Sequence, residues 1–185
     1  LYAYNGTAWG KVSAVTATGG TETDYTGYKV HTFLLADSGN NFVVSGGSLT
    51  CDILVVAGGG GGGAYAAAGG GAGGVVVASN TPTAAGTYTV TVGAGGSGGT
   101  RADSATFTDS TNGGNSSVNI SGVTTAIGGG NGGSFDSHST GDGRDTGGLG
   151  GSGGGSGSLG TTGTVSGGAG TANQGYAGGS GHHQG

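Results

Sequence analysis

The pattern that most constrains this chain is a repeat of two glycines and one other residue. Gly70-Gly71-Ala72-Gly73-Gly74-Val75 holds two such triplets and Gly129-Gly130-Asn131-Gly132-Gly133-Ser134 two more. Gly147-Gly148-Leu149-Gly150-Gly151-Ser152-Gly153-Gly154-Gly155 holds three, and Gly167-Gly168-Ala169 and Gly178-Gly179-Ser180 are single ones. A period of three matches the left-handed helix with three residues per turn and about 3.1 Å rise. That helix makes no internal hydrogen bonds, so its N–H and C=O groups must find partners outside it. With glycine on two of its three faces, neighbouring helices can approach closely and bond to one another sideways. The third position then faces outward or fills a gap, and here it is small (Ala, Ser, Asn) apart from Val75 and Leu149.

Composition separates this reading from that of a flexible linker. Glycine supplies 53 of 185 positions, yet only 7% of residues are charged. An ordinary globular chain carries about 25%, and disordered segments usually stay soluble through charge. Glycine loses more backbone entropy on ordering than any other residue, so a glycine lattice must satisfy nearly all of its backbone groups.

Between the glycine runs the chain reads as β-structure. "KVHTFLL" (29–35), "NFVVS" (41–45), "CDILVVA" (51–57), "VVVAS" (75–79), "SATF" (104–107) and "SSVNISGVTTAI" (116–127) are rich in β-branched or aromatic residues. In "TYTVTV", Tyr88, Val90 and Val92 fall on one face and Thr87, Thr89 and Thr91 on the other, the period of a half-buried strand. "DSGN" (37–40) and "SGGS" (45–48) read as hairpin-type turns, and Pro82 as a turn residue between two strands. No segment has a helical apolar period. The expected fold class is all-β, an antiparallel β-sandwich-like part combined with a bundle of polyglycine II helices and essentially no α-helix. The expected organisation is a connecting segment at 1–27, a β-rich domain with glycine-run insertions at 28–127, and a polyglycine lattice with projecting loops at 128–185. The lattice is expected to continue beyond residue 185, because the chain ends inside the pattern.

Several function classes are disfavoured. A net charge of −5 with four Lys plus Arg cannot neutralise a row of phosphates, so no nucleic-acid partner is expected. No run approaches the roughly 18 apolar residues of a membrane span. Cys51 is the one cysteine, which rules out an intrachain disulfide, and its apolar neighbours make it a structural thiol. His182 and His183 with His138 could suggest a metal site, but no Cys or acidic partner lies near the pair, so no metal site is expected. Glu22 is the one glutamate, which removes a glutamate pair for glycoside cleavage. Ser, His and Asp are present without a nucleophile-elbow motif. No cofactor and no enzymatic activity are expected. The most polar insert among the triplets is "DSHSTGDGRD" (136–145). Loops on rigid scaffolds are where recognition concentrates, so Asp136, His138, Asp142, Arg144 and Asp145 are the receptor-contact candidates.

"LYAYNGTAWGKV" (1–12) resembles short aromatic segments of phage tail-fibre and other virion structural proteins. From Tyr28 onward, "YKVHTF", "DILVVAGGGGGG", "AGTYTVTVGAGG", "GGNSS", "TAIGGG" and "NQGYAGGSG" resemble the glycine-rich domain of tail fibres and of bacterial surface proteins. The distal adhesins of T-even-type long tail fibres are similar in style, and the glycine-rich domain of the anaplastic lymphoma kinase receptor has a comparable lattice beside a β-sandwich. The resemblance implies a virion structural protein, part of a tail fibre or another appendage, displaying loops to a bacterial surface receptor (protein or glycan). It further implies attachment to other virion or fibre proteins through the N-terminal part, and a homotrimer is among the assemblies that fibres adopt. A bacterial matrix, filament or surface protein without a receptor role is the main alternative, placed at the cell surface and not on a virion. An ice-binding protein is the third.

Overall fold

Alternating apolar and polar residues build one half of the molecule and glycine runs the other. The structure, a computed structural model, describes residues 2–4, 6–11, 14–65, 67–101, 107–134, 145–157 and 163–183. In chain order the strands are β1 (Tyr2–Tyr4), β2 (Trp9–Lys11), β3 (Thr16–Thr18), β4 (Thr21–Tyr25), β5 (Tyr28–Thr32), β6 (Asn41–Ser45), β7 (Leu49–Val56), β8 (Val75–Thr83), β9 (Gly86–Thr91), β10 (Thr100–Arg101), β11 (Phe107–Thr108), β12 (Ser117–Val118), β13 (Gly163–Val165) and β14 (Gly181–His183). The fold class is all-β with antiparallel sheets. Among the described residues the helical content is a single 3-10 turn, Leu35–Asp37.

A four-stranded sheet in the order β12-β9-β6-β3 faces the two-stranded ribbon β7-β8. Phe42 and Val44 from β6, Val90 from β9 and Ile120 are buried between them, with Leu49, Cys51 and Ile53 of β7 packed against this cluster. Val55, Ala57 and Ala126 form a second cluster beside it. Cys51 is half-buried on the inner face of β7, as its apolar neighbours implied. In β9 the expected alternation is present: Val90 is buried, Tyr88 and Val92 are half-buried, and Thr87, Thr89 and Thr91 are exposed. A β-bulge lies on β8, where Ser79 and Asn80 oppose Asp52 between the pairs Cys51↔Thr81 and Ile53↔Ala78. Asn80 takes a positive φ of 52°, and its N–H donates to Asp52 Oδ1 at 2.8 Å. The extra residue switches the parity of β8, so Val76 and Ala78 before it and Thr81 and Thr83 after it all turn inward.

Several local readings are corrected. "KVHTFLL" leaves the strand conformation after Thr32, because Leu35–Asp37 close a 3-10 turn in which the Leu34 N–H donates to Asp37 Oδ2 at 2.9 Å. "DSGN" and "SGGS" join no hairpin: β6 pairs with β3 and β9, and β7 lies in the other sheet. Their turn chemistry serves crossings between elements, since the strand partners come from distant sequence. Pro82 sits inside β8 opposite Thr50, tolerated because a two-stranded ribbon has an open edge toward which the missing N–H can point. In 116–127 only Ser117–Val118 is strand, with a bridge Ser116↔Ala126 and a turn at Ser121-Gly122. Of "SATF", 104–106 lie outside the described residues. β3 joins the four-stranded sheet, and β4 pairs with β5 across residue 27.

The other half is made of runs joined sideways. They are 58–63, 67–74, 93–99, 109–115, 127–134, 145–150, 151–157, 166–170 and 175–180. Run 58–63 shows the rule. Gly60 and Gly63 donate to Gly71 and Ala68 of one neighbour at 2.9 and 3.0 Å, and Gly58 and Gly61 donate to Gly114 and Thr111 of a second, both at 3.0 Å. The carbonyls of Gly58 and Gly61 accept from Gly129 and Gly132 of a third, and those of Gly59 and Gly62 from Gly96 and Gly99 of a fourth. Every partner recurs after three residues. A Cβ at Gly58 or Gly61 would collide with the carbonyl of Ala94 or Ser97, and one at Gly60 or Gly63 with that of Gly130 or Gly133. At Gly59 and Gly62 it would sit 3.6 and 3.7 Å from the nearest carbonyl, an ordinary contact. Glycine is thus required at two positions of three and optional at the third. Leu149 and Val75, the large third-position residues of the triplets, are 68% and 42% exposed.

Two outcomes follow from this architecture. Gly61→Ala should destabilise the chain by about 1–3 kcal/mol or more through backbone collision, lowering the melting temperature by roughly 2–4 °C per kcal/mol. Gly62→Ala should leave it within about 0.5 kcal/mol, and thermal melts of the pair check the period. On the β4-β5 hairpin, Lys29 Nζ donates to Glu22 at 2.9 Å and holds its carboxyl below the ordinary value of 4.5, while Glu22 raises Lys29. A lowered carboxyl stabilises the folded form above its ordinary value and loses that effect as pH falls through the lowered one. Amide-exchange protection in β4 and β5 should therefore drop below pH 4.5, with no such step in Glu22→Gln.

Candidate functional site: the remote loop end

The lattice determines where the loops go. Run 58–63 leaves the end of β7 and run 67–74 returns to the start of β8, so the reversal through Ala64 and Tyr65 is remote from the sandwich. Run 93–99 leaves β9 and run 109–115 returns to Ser116, which places the β10-β11 hairpin at the same end. Run 151–157 lies parallel to 127–134 (Gly130→Ser152, Gly133→Gly155), and 145–150 runs opposite to both (Gly148→Asn131, Gly157→Asp145). Ser134 and Asp145, which flank 135–144, are therefore remote, as are Gly157 and Gly163, which flank 158–162. Run 175–180 is parallel to 151–157 (Gly153→Tyr176, Ser156→Gly179) and delivers β14 to its partner β13 there as well. Connections at the sandwich end are tight: 145–150 passes directly into 151–157, and Thr171 closes the next turn on the Gly150 and Gly151 carbonyls at 2.9 Å.

Of the candidates read from the sequence, Asp136, His138, Asp142 and Arg144 lie outside the described residues. Asp145 is described and is 4% exposed, with its carbonyl accepting from Gly157 N–H at 2.6 Å. It is buried inside the lattice at the start of run 145–150.

The structure adds residues that the triplet pattern did not suggest. The Arg101 guanidinium lies 4.4 Å from the Tyr65 ring centroid and 4.8 Å from that of Phe107. One cation thus joins two loops, with attraction to each ring of about 0.5–1 kcal/mol at an exposed site. Tyr65 holds a positive φ of 53°, unusual for a bulky residue, where the first two runs reverse. Across β13-β14, Thr164 Oγ1 and His182 Nδ1 are 3.1 Å apart and exposed. The signal available in the sequence was position: each of these residues lies in or beside a non-glycine break between runs that reverse at this end.

Small polar side chains complete the lattice around the runs. Ser134 Oγ accepts from Ala64 N–H at 3.0 Å, Asn112 Oδ1 from Asn131 N–H at 2.8 Å, and Asn115 Oδ1 from Gly128 N–H at 2.8 Å. Gln174 bridges Ile127 N–H and the Thr125 carbonyl at 2.8 and 2.9 Å. Ser134 acts at the remote end of its run, whereas Asn115 and Gln174 act at the sandwich end, so side chains hold both ends of the lattice.

Residues 36–185 match the family model described as a glycine-rich domain. The chain belongs to the glycine-rich domain family. In this glycine-rich domain the match covers β6 to β14 and every run, while β1 to β5 precede it. No curated protein and no solved structure matches the chain.

Arg101→Ala should loosen the Tyr65–Phe107 contact, lowering amide protection in β10 and β11 while changing global stability by no more than about 1–2 kcal/mol. Hydrogen exchange beside a thermal melt separates these two effects.

Proposed function

We propose that this glycine-rich domain protein is a phage virion structural protein, a tail-fibre or other appendage component that displays loops to a bacterial surface receptor. One observation supports the reading: runs that alternate in direction bring Ala64 and Tyr65, β10 and β11, the residues Ser134, Asp145 and Gly157, and the β13-β14 pair to the end opposite the β-sandwich. A rigid scaffold with variable loops at one pole is suited to recognition. The N-terminal part would attach to other fibre proteins. Contact with the receptor is assigned to the 135–144 loop, with Asp136, His138, Asp142 and Arg144 as contact residues and Asp145 as its buried root. The rings of Tyr65 and Phe107 beside Arg101 suit a glycan or a protein surface. The role is non-enzymatic and extracellular, and it uses no cofactor.

Mass spectrometry of purified virions from the source should detect the chain. Its absence there would leave the bacterial surface-protein reading in its place. The recombinant chain should bind cells of the host, and replacing 135–144 by Gly/Ser should reduce that binding at least tenfold without shifting the melting temperature. Unchanged binding would remove this loop from the contact.

A further inference from the structure

Asparagine is a thermolabile residue, and most of all when glycine follows it, because no side chain then hinders the next backbone nitrogen. That nitrogen attacks the asparagine Cγ and ammonia leaves. The succinimide so formed takes up water and opens to aspartate or, more often, to isoaspartate. The sequence holds three such pairs, Asn5-Gly6, Asn112-Gly113 and Asn131-Gly132. The last two lie inside runs 109–115 and 127–134. Asn112 is exposed and Asn131 half-buried, so water and base reach at least the first of them.

What restrains the two amides is bonding. The Asn112 side chain stands in for a peptide group: its Oδ1 accepts from Asn131 N–H at 2.8 Å and its Nδ2 donates to the Leu149 carbonyl at 3.2 Å. Asn131 Nδ2 donates to Ser110 Oγ at 3.3 Å, and that hydroxyl donates in turn to the Gly132 carbonyl at 2.8 Å. Both amides thus reach across to other runs, away from the nitrogen that would attack them. The attacking nitrogens are engaged as well. Gly113 N–H donates to the Gly129 carbonyl and Gly132 N–H to the Gly61 carbonyl, each at 2.9 Å. Attack requires that proton to leave and the amide to swing back onto its own chain, and joined runs prevent both.

We propose that Asn112 and Asn131 are modification sites masked by the lattice, which convert to isoaspartate only after the runs part and whose product keeps the runs from rejoining. Isoaspartate carries the main chain through its side-chain carbon, one atom longer than the ordinary linkage. Beyond Asn112, Gly113 and Gly114 would then miss the Gly129 and Ala94 carbonyls, which they meet at 2.9 and 2.7 Å. Beyond Asn131, Gly132 and Gly133 would miss those of Gly61 and Gly155, both at 2.9 Å. Bonds that recur every third residue leave no place to absorb the extra atom. The product also bears a carboxylate and no side-chain N–H, so the Leu149 carbonyl loses the donor it has in Asn112. Opening of the lattice is thereby recorded irreversibly in two of its own rods. This inference does not depend on the virion reading.

Peptide mapping by mass spectrometry, after incubation in warm and mildly alkaline buffer, tests the masking. At both sites the folded chain should deamidate at least tenfold more slowly than unfolded synthetic peptides spanning each pair. A folded chain that matches the peptide rate at either site overturns the proposal. Holding the chain near the midpoint of its thermal transition, cooling it and separating the species by size exclusion tests the product. Isoaspartate at 112 and 131 should be confined to chains that stay unfolded or aggregate. Its presence at either position in chains that return to the folded fraction overturns the block on rejoining.

Discussion

The lateral N–H···O=C bond between glycine runs, repeated every third residue, is the interaction on which the rest of this molecule depends. Each such bond contributes a net of only about 0.5–1.5 kcal/mol, and each glycine loses the most backbone entropy on being ordered. The lattice is stable only when many bonds form together, which explains why a single run such as 58–63 is bonded on several sides at once. The apolar clusters of the sandwich are small, with four buried residues in one and three in the other. Cohesion has moved from side chains to the backbone.

That shift explains the composition. With side chains removed from two positions of three, little apolar material remains to bury and few sites remain for charge. What the lattice needs is small polar groups where a run ends or a neighbour is missing. Ser116 Oγ accepts from Gly93 N–H at 2.9 Å and Ser110 Oγ donates to the Gly132 carbonyl at 2.8 Å, both from buried positions. An unmet backbone group inside such a lattice would cost about as much as a bond contributes, or more. The abundance of Ser, Thr and Asn is therefore structural.

The two poles of the molecule differ in physical kind. At the sandwich, strand pairing and side-chain packing leave a ribbon face and a hairpin arm uncovered. At the remote end, backbone rods stop and loops begin, with Arg101 between Tyr65 and Phe107 as the described cluster of large side chains. Because the rods are bonded on several sides, loop sequence at that end can vary without disturbing the scaffold beneath it. The proposed role rests on that separation.

The sequence by itself determined the period of the lattice, the strands at 41–45, 51–57, 75–79 and 86–91, and the β class. These follow from local rules: a missing Cβ, a branched Cβ, and alternation along a strand. Only the tertiary structure decided which run bonds to which, that β6 lies between β3 and β9, that Asp145 turns inward, and that Tyr65 meets Arg101. Glycine carries no side chain to mark its partner, so nothing in a triplet names its neighbour. The direction of each run and the distant strand it leaves from make that choice.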